Sequence, residues 1–202
     1  MKNVIHTSKK VFLMVALLVT VIGYANDKSF YISKGDAGKT TLTLMEVKKG
    51  DLFTIKNENG LILYKEAIQE NGVYKKGFDL TSLPDGSYFF ELDKDMEITT
   101  IPFTVKASDV AFDKSKSETV FKPLTVVRND HLLVSQLSLE KKPLKIKIYQ
   151  EGSTYSSSYE LIHSETITDT KHIKRVYKLR DFSKGQYKIV FMTEGQKFVK
   201  FF

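Results

Sequence analysis

The stretch Phe78-Asp-Leu-Thr-Ser-Leu-Pro-Asp-Gly-Ser-Tyr88 recurs in altered form as Tyr177-Lys-Leu-Arg-Asp-Phe-Ser-Lys-Gly-Gln-Tyr187. The two stretches lie 99 residues apart at every position, and the same offset extends upstream to Glu66 and Glu165. A constant offset over a segment of this length predicts two copies of one module in tandem. The repeat predicts an architecture, and it identifies no reaction.

Within the repeated stretch, Phe78 and Leu80 are two residues apart, so in a strand both face the same side of the sheet. Leu83 is predicted to cap the core from the connection, and Gly86 to permit a tight turn into the next strand. Tyr88 then returns to the core face, where its hydroxyl can satisfy a backbone group across the connection. These predicted structural positions are, in the two copies, Leu80, Leu83, Gly86, Tyr88, Leu179, Phe182, Gly185 and Tyr187.

Apolar and polar residues alternate with a period of two through most of the chain, which is typical of half-buried strands. The predicted strands are 41–47, 51–57, 61–69, 73–80, 87–92 and 97–105, then 120–127, 132–139, 144–150, 159–167, 173–179, 186–192 and 197–202. Asn59-Gly60 and Asn71-Gly72 offer the left-handed φ that tight hairpin turns need. About seven short strands per copy predict an all-β chain of two tandem antiparallel β-sandwich domains without a long helix.

The first 25 residues are typical of a secretory signal peptide, with a basic start, an apolar run at 11–22 and small residues at Gly23 and Ala25. That run is shorter than the roughly 18 residues of a spanning helix, although an uncleaved N-terminal anchor is the alternative. The predicted organisation is therefore a signal peptide at 1–25, a first β-sandwich at 26–106 and a second at 107–202. We expect an exported protein, periplasmic or at the cell surface or secreted, with no stable membrane anchor after cleavage.

The composition limits both the chemistry and the partners. The chain has no cysteine, which excludes disulfides and the lipid anchor of bacterial lipoproteins, so each module must bury a core of its own. Residues 26–106 hold 11 basic and 13 acidic side chains, whereas residues 107–202 hold 17 and 11. For an exported protein a basic module favours a polysaccharide or protein of the cell envelope over nucleic acid. The alternative is that these lysines form an ordinary solvated face.

The motif apolar-x-Leu-x-x-Leu-x-x-Gly-x-Tyr, carried by Leu80, Leu83, Gly86 and Tyr88, resembles the repeat core of secreted modules from Bacteroidota. It is similar to the C-terminal sorting domain of the Por (type IX) secretion system and to related small immunoglobulin-like domains, over about 45 residues of each copy. The second copy matches with Phe182 in place of the second leucine. The resemblance implies an immunoglobulin-like sandwich and an exported, non-enzymatic role.

The sequence contains no recognisable catalytic motif. It lacks Gly-x-Ser-x-Gly and cysteine, and His131, His163 and His172 lack the spacing of metal ligands, so we expect no enzyme and no cofactor. Asp93, Asp95 and Glu97 alternate at a hairpin tip and are a weak candidate for a calcium site. The alternative is an acidic turn that keeps the hairpin soluble and discourages edge pairing.

The loop 152–159 carries the strongest binding candidates, Tyr155, Ser157 and Tyr159, because aromatic faces beside hydroxyls are typical of recognition loops. A solvated hairpin tip is the alternative. Two functions remain open from the sequence. One is a structural or protein-interaction module of the bacterial envelope that binds through loops or by strand addition. The other is a carbohydrate- or envelope-polymer-binding module that uses this loop and the basic second domain.

Overall fold

The computed structural model describes residues 29–35, 38–152, 158–179 and 186–202. The predicted signal peptide lies outside the described residues, so that prediction stays untested. The described part of the chain contains no apolar helix long enough to cross a bilayer.

The first module packs two antiparallel sheets against each other. Its three-stranded sheet has the order β1-β2-β5, with β1 at Phe30–Lys34, β2 at Thr40–Val47 and β5 at Gly72–Phe78. The opposite sheet has the order β4-β3-β6-β7-β8, with bounds of Ile62–Ala67, Leu52–Asn57, Gly86–Asp93, Glu97–Lys106 and Asp109–Phe112. A further strand, β9 (Glu118–Phe121), also pairs with β7, after a short 3-10 turn at Lys114–Lys116.

The second module repeats this plan strand by strand. One sheet has the order β10-β11-β14, at Leu124–Arg128, His131–Leu137 and His172–Lys178. The other has the order β13-β12-β15-β16, at Tyr159–Ile167, Leu144–Glu151, Tyr187–Thr193 and Gln196–Phe201. Adding nine to each strand number from β1 to β7 reproduces the second order from the first. The prediction of two tandem antiparallel β-sandwiches is therefore confirmed.

The period-two pattern places every second side chain in one of two cores. In the first core Phe53, Phe90 and Phe103 are almost fully buried, and ring centroids of neighbouring pairs lie 4.9–5.5 Å apart. The second core is mainly aliphatic, and its most buried members are Leu132, Leu144, Ile146, Ile148, Ile189 and Phe191. Burial of this apolar surface is the main favourable contribution to folding for a chain without disulfides.

The repeated stretch contributes to both cores. Leu80 is 2% exposed and Leu83 packs against the first core, as predicted. Tyr88 is buried, and its hydroxyl donates a hydrogen bond of 2.7 Å to the Pro84 carbonyl, which confirms the predicted closure of the connection. Gly86 begins β6 without a left-handed φ, so the turn does not depend on glycine there.

The second copy of the stretch is described in part. Leu179 and Tyr187 are buried in the second core, whereas Phe182 and Gly185 lie outside the described residues. The two predicted hairpin glycines, Gly60 and Gly72, do have left-handed φ values of 78° and 114°.

The predicted strand 120–127 is wrong as a single element, because Pro123 divides it into β9 and β10. Proline has a restricted φ and no N–H, so it ends the pairing of β9 with β7. β8 pairs with Phe103–Lys106 and β9 with Glu97–Thr100, which together cover both halves of β7. The predicted boundary after residue 106 stays a prediction, while strand pairing with the first sheet continues to residue 121.

Replacing Tyr88 by Phe should lower the free energy of unfolding by about 1 kcal/mol, because the hydrogen bond from the Tyr88 hydroxyl to the Pro84 carbonyl is lost while the ring still fills the core. Chemical denaturation measures this change. The matched control is Tyr31→Phe on β1, where the side chain is 52% exposed and we expect a change of less than about 0.5 kcal/mol. Equal effects of the two substitutions would contradict the role of the hydroxyl.

Candidate functional site

The predicted binding loop is described only at its ends. Tyr155 and Ser157 lie outside the described residues, and Tyr159 is the first residue of β13. The Gly152 amide donates to the Ser158 carbonyl at 2.9 Å, which closes the base of this hairpin. Tyr159 therefore projects from the rim of the four-stranded sheet of the second module.

Tyr159 belongs to a cluster on the outer face of that sheet, here called the aromatic cluster, which consists of Tyr149, Tyr159, Lys188 and Phe201. The Lys188 ammonium lies 4.7 Å from the ring centroid of Tyr149 and 4.4 Å from that of Tyr159. The Tyr159 and Phe201 rings meet edge to face at 6.1 Å, and Phe201 is 64% exposed. Strand register explains the arrangement, since Lys188 is the cross-strand neighbour of both Tyr149 and Phe201. A cation held on ring faces beside an exposed aromatic side chain is a surface suited to stacking or to an anionic ligand.

A polar cluster around Glu66 bridges the two sheets of the first module. The Glu66 carboxylate on β4 accepts hydrogen bonds from the Tyr64 hydroxyl at 2.5 Å, the Lys76 ammonium at 2.7 Å and the Tyr74 hydroxyl at 2.9 Å. Tyr74 and Lys76 lie on β5, the edge strand of the opposite sheet, so the carboxylate fastens one sheet edge to the other.

The second module has the same cluster at the 99-residue offset. Glu165 on β13 accepts a hydrogen bond of 3.0 Å from the Arg175 guanidinium on β14 and another from the Tyr177 hydroxyl. His163 lies beside them, with its Nε2 3.7 Å from the carboxylate. The offset maps Glu66 onto Glu165 and Lys76 onto Arg175, so the acid and its cation are repeated while the donor tyrosines differ.

The pKa values of these groups report the strength of the clusters. The hydrogen bonds from Lys76 and then Tyr64 lower the pKa of Glu66 to about 2, and the same contacts raise the pKa of Lys76. Burial alone would raise the pKa of Glu165, but the hydrogen bonds from Tyr177 and Arg175 together outweigh it and lower the pKa. Both carboxylates therefore stay ionised at neutral pH, and their partners engage them in a structural role rather than leaving a base free for chemistry.

The acidic hairpin tip is not assembled as a metal site. Asp93 pairs with Lys122, and Glu97 lies 3.5 Å from the Lys94 ammonium. Among the described residues no group of three or more histidine or carboxylate side chains is placed to hold a metal ion.

A band of exposed apolar residues crosses the outer face of the sheet β10-β11-β14. Register places Val126, Leu133 and Val176 side by side on neighbouring strands, and the two valines are 49% and 62% exposed. We call these three residues the apolar band. Basic side chains lie at both ends of it: Arg128 and Lys178 in the row on one side, and Lys174 in the row on the other.

The first module shows that the fold does not require this band. By strand register the row corresponding to Val126, Leu133 and Val176 is Ser33, Thr41 and Gly77. The fold is the same, but the outer row is polar in one copy and apolar in the other. The apolar band is therefore specific to the second module, and packing of the two sheets does not require apolar residues at these outward positions.

The band continues toward a groove of about 420 Å³ between the modules, whose walls include Met96, Phe121, Leu124 and Leu137. Gln136 also lines the groove, is 5% exposed, and donates a hydrogen bond of 2.7 Å to the Phe121 carbonyl. Its amide oxygen accepts no hydrogen bond from the described residues.

One feature of the sequence indicates the apolar band, although the period-two pattern alone does not. Val126 and Val127 are consecutive, so one of them must face away from the core in any strand. An apolar residue on each face of an edge strand indicates a surface as well as a core.

No protein-family model matches the chain, and no curated protein is similar to it. Among solved structures, the BSP domain of a biofilm associated protein is 11% identical, with a TM-score of 0.27 over 89% of this chain and 30% of that one. The chicken CNTN1 FN1–FN3 domains are also 11% identical, with a TM-score of 0.27 over 87% of this chain and 62% of that one. The human OSCAR ligand-binding domain is 9% identical, with a TM-score of 0.25 over 86% of this chain and 97% of that one. The chain thus spans less than two thirds of the first two structures.

Replacing Glu66 by Gln should remove a pH-dependent part of the stability. The pKa of Glu66 in the folded chain, about 2, lies below its ordinary value of 4.5, so wild-type stability falls as the pH drops from about 4.5 toward 2. Because the pair is partly exposed, we expect a contribution of about 1 kcal/mol at neutral pH.

Unfolding curves at a series of pH values measure this difference. The variant should have lower stability at pH 7 and a shallower loss of stability below pH 4.5 than the wild type. Glu58→Gln, at an exposed turn position, should keep the wild-type profile. Identical pH profiles for wild type and Glu66→Gln would contradict the role of the cluster.

Proposed function

We propose that this chain is an exported, non-enzymatic protein-interaction module of the bacterial cell envelope, and that the apolar band is its contact surface. The observation that carries the proposal is the contrast between Val126, Leu133 and Val176 and the polar row at the same place in the first module. The two modules share one strand order, but this outer row is polar in the first module and apolar in the second. A solvent-exposed apolar row that folding does not need is the kind of patch that marks protein contact sites.

The proposed partner is a protein with an apolar centre and an acidic rim. Arg128, Lys174 and Lys178 flank the band, and the second module carries the excess of basic residues. Complementary charge at the rim would steer the encounter and orient the partner, while the band and groove supply the buried contact.

Export and the envelope location rest on the sequence. Residues 1–25 are typical of a signal peptide, and the Leu-Gly-Tyr motif resembles that of modules associated with type IX secretion. Both features support the proposed location and the relationship to Bacteroidota proteins. Fractionation of cells that produce the full chain, with blotting of cytoplasmic, periplasmic, membrane and medium fractions, tests this part separately.

A photo-crosslinking residue at position 176 should form a discrete adduct with an envelope protein, whereas the same residue at position 77 should not. Position 77 is the matched control, because Gly77 occupies the corresponding place in the first module. Val126→Thr, which keeps the shape and removes the apolar surface, should reduce the adduct roughly tenfold and leave the melting temperature within about 2 °C. Adducts of equal yield at both positions, or at neither, would contradict the proposed surface.

A second candidate function is carbohydrate or envelope-polymer binding at the aromatic cluster. The observation that favours it is the placement of Tyr149 and Tyr159 around Lys188 with Phe201 exposed beside them. Aromatic rings stack on the apolar faces of sugars, and the ammonium would attract acidic groups of a polysaccharide.

Tyr159→Ala should weaken binding to an acidic envelope polysaccharide by roughly tenfold, because it removes one stacking face and one ring contact of Lys188. A glycan array followed by titration calorimetry measures this effect. Tyr31→Ala, at an exposed tyrosine of the first module, is the control and should bind as the wild type does. Absence of wild-type binding to every glycan tested would exclude this second function.

A further inference from the structure

β16 is an edge strand with one side unpaired. It pairs with β15 along its whole length, and no strand in the described part of the chain pairs with its other side. A groove of about 160 Å³ separates Phe198 and Val199 from the nearby chain at Pro123 and Leu124. The backbone groups on this side of β16 are therefore not paired with any strand of the described residues.

The register identifies which residues present those groups. Tyr187 and Phe202 exchange two backbone hydrogen bonds of 3.0 Å, so they form a hydrogen-bonded pair of the antiparallel ladder. Such pairs alternate along the ladder, and the residues between them direct N–H and C=O away from β15. The outward groups are thus those of Lys197, Val199 and Phe201.

The same edge is occupied in the first module. Tyr88 pairs with Phe103 as Tyr187 pairs with Phe202, so β7 and β16 are equivalent at an offset of 99 residues. There β9 covers Glu97–Thr100 in an antiparallel ladder, and the Lys122 amide extends it by donating to the Met96 carbonyl at 2.8 Å. The corresponding residues of β16 are 196–199, with nothing paired to them among the described residues.

Proline marks a further difference between the two edges. Pro102 of β7 has no N–H to donate outward, and the pairing changes there from β8 to β9. Phe201 stands at the equivalent place in β16 and retains its N–H. The second edge thus presents an unbroken row of donors and acceptors, which is the requirement for strand addition.

We propose that β16 accepts an extended segment of another protein by antiparallel strand addition, and that this segment resembles β9. In β9 an acidic residue is followed by a β-branched pair and an aromatic residue, Glu118-Thr-Val-Phe121. Glu118 lies opposite Thr100 in the first module, and Val199 is the equivalent of Thr100 in β16. The acidic residue of the added segment would therefore lie opposite Val199 and diagonal to Lys197, within reach of the Lys197 ammonium.

The charge of the edge argues for a foreign acidic strand over a second copy of β16. Lys197 and Lys200 are both exposed, and two copies of this strand side by side would bring four lysines into one ladder. A strand with an acidic residue at its start supplies the opposite charge. This edge is separate from the apolar band, so the inference goes beyond the proposed function and can succeed or fail independently of it.

A capped peptide of residues 117–122, Ser-Glu-Thr-Val-Phe-Lys, serves as the probe for the full chain. Val199→Pro removes an N–H that points away from β15, so all hydrogen bonds between β15 and β16 are kept. Pro102 is a natural example of proline at such an outward position in β7. The substitution should weaken peptide binding at least about tenfold. Val199→Thr keeps the N–H and should bind within about threefold of the wild type. A peptide with Lys in place of Glu should bind roughly tenfold more weakly than the probe.

Fluorescence polarisation measures the affinities, and amide hydrogen exchange of the wild type gives a readout that does not depend on any variant. Added probe should slow exchange at Lys197, Val199 and Phe201 and leave the amides of the apolar band unchanged. Binding that Val199→Pro leaves intact, or no slowing of exchange at about 1 mM probe, would overturn the proposal. Self-association of the free chain that Val199→Pro abolishes would also overturn it, because the added strand would then come from a second copy.

Discussion

Each sandwich depends on central strands that are paired on both sides and that direct every second side chain at the opposite sheet. β6 and β15 play this part, with Tyr88 and Tyr187 at the start of the inward row and Phe90 and Phe191 within it. A polar residue at one of these inward positions would remove apolar contacts from the core. A register shift of one residue would place the apolar side chains on the solvent face of the sheet. Inward positions therefore exchange one apolar residue for another, as Phe90 and Ile189 do, whereas outer faces, edges and connections also change in polarity.

A second constraint applies at the side of each sandwich, where an edge strand of one sheet lies beside an edge strand of the other. Where the chain crosses from one sheet to the other, two edge strands meet without backbone pairing between them. Glu66 and Glu165 fill this place by collecting donors from the opposite edge. The acid is retained while its cation changes from Lys76 to Arg175, because the carboxylate is the shared acceptor and any donor of suitable reach can serve it.

The sequence predicted the strands well wherever alternation was sustained, as for the predicted strand 144–150 against Leu144–Glu151. It placed an edge strand within residues 106–117 but gave no bounds for β8, because four residues are too few to show a period. It failed at Pro123, where one apolar run contains two strands. Tyr159 was identified from composition, but its partners Tyr149, Lys188 and Phe201 come from three other strands. Cross-strand neighbours of this kind depend on which strands pair and in which register, and the alternation pattern within one strand does not specify either.

The placement of β9 also decides how the chain can be divided for study. A fragment ending at Lys106 would lose both β8 and β9, the strands that cover β7, and would leave the edge of β7 open to solvent. Such edges promote intermolecular pairing, so the shorter fragment would be prone to precipitate while one ending at Lys122 would stay dispersed. The pairing of β9 with β7 therefore favours a cut at Pro123, inside what the alternation pattern presents as a single strand.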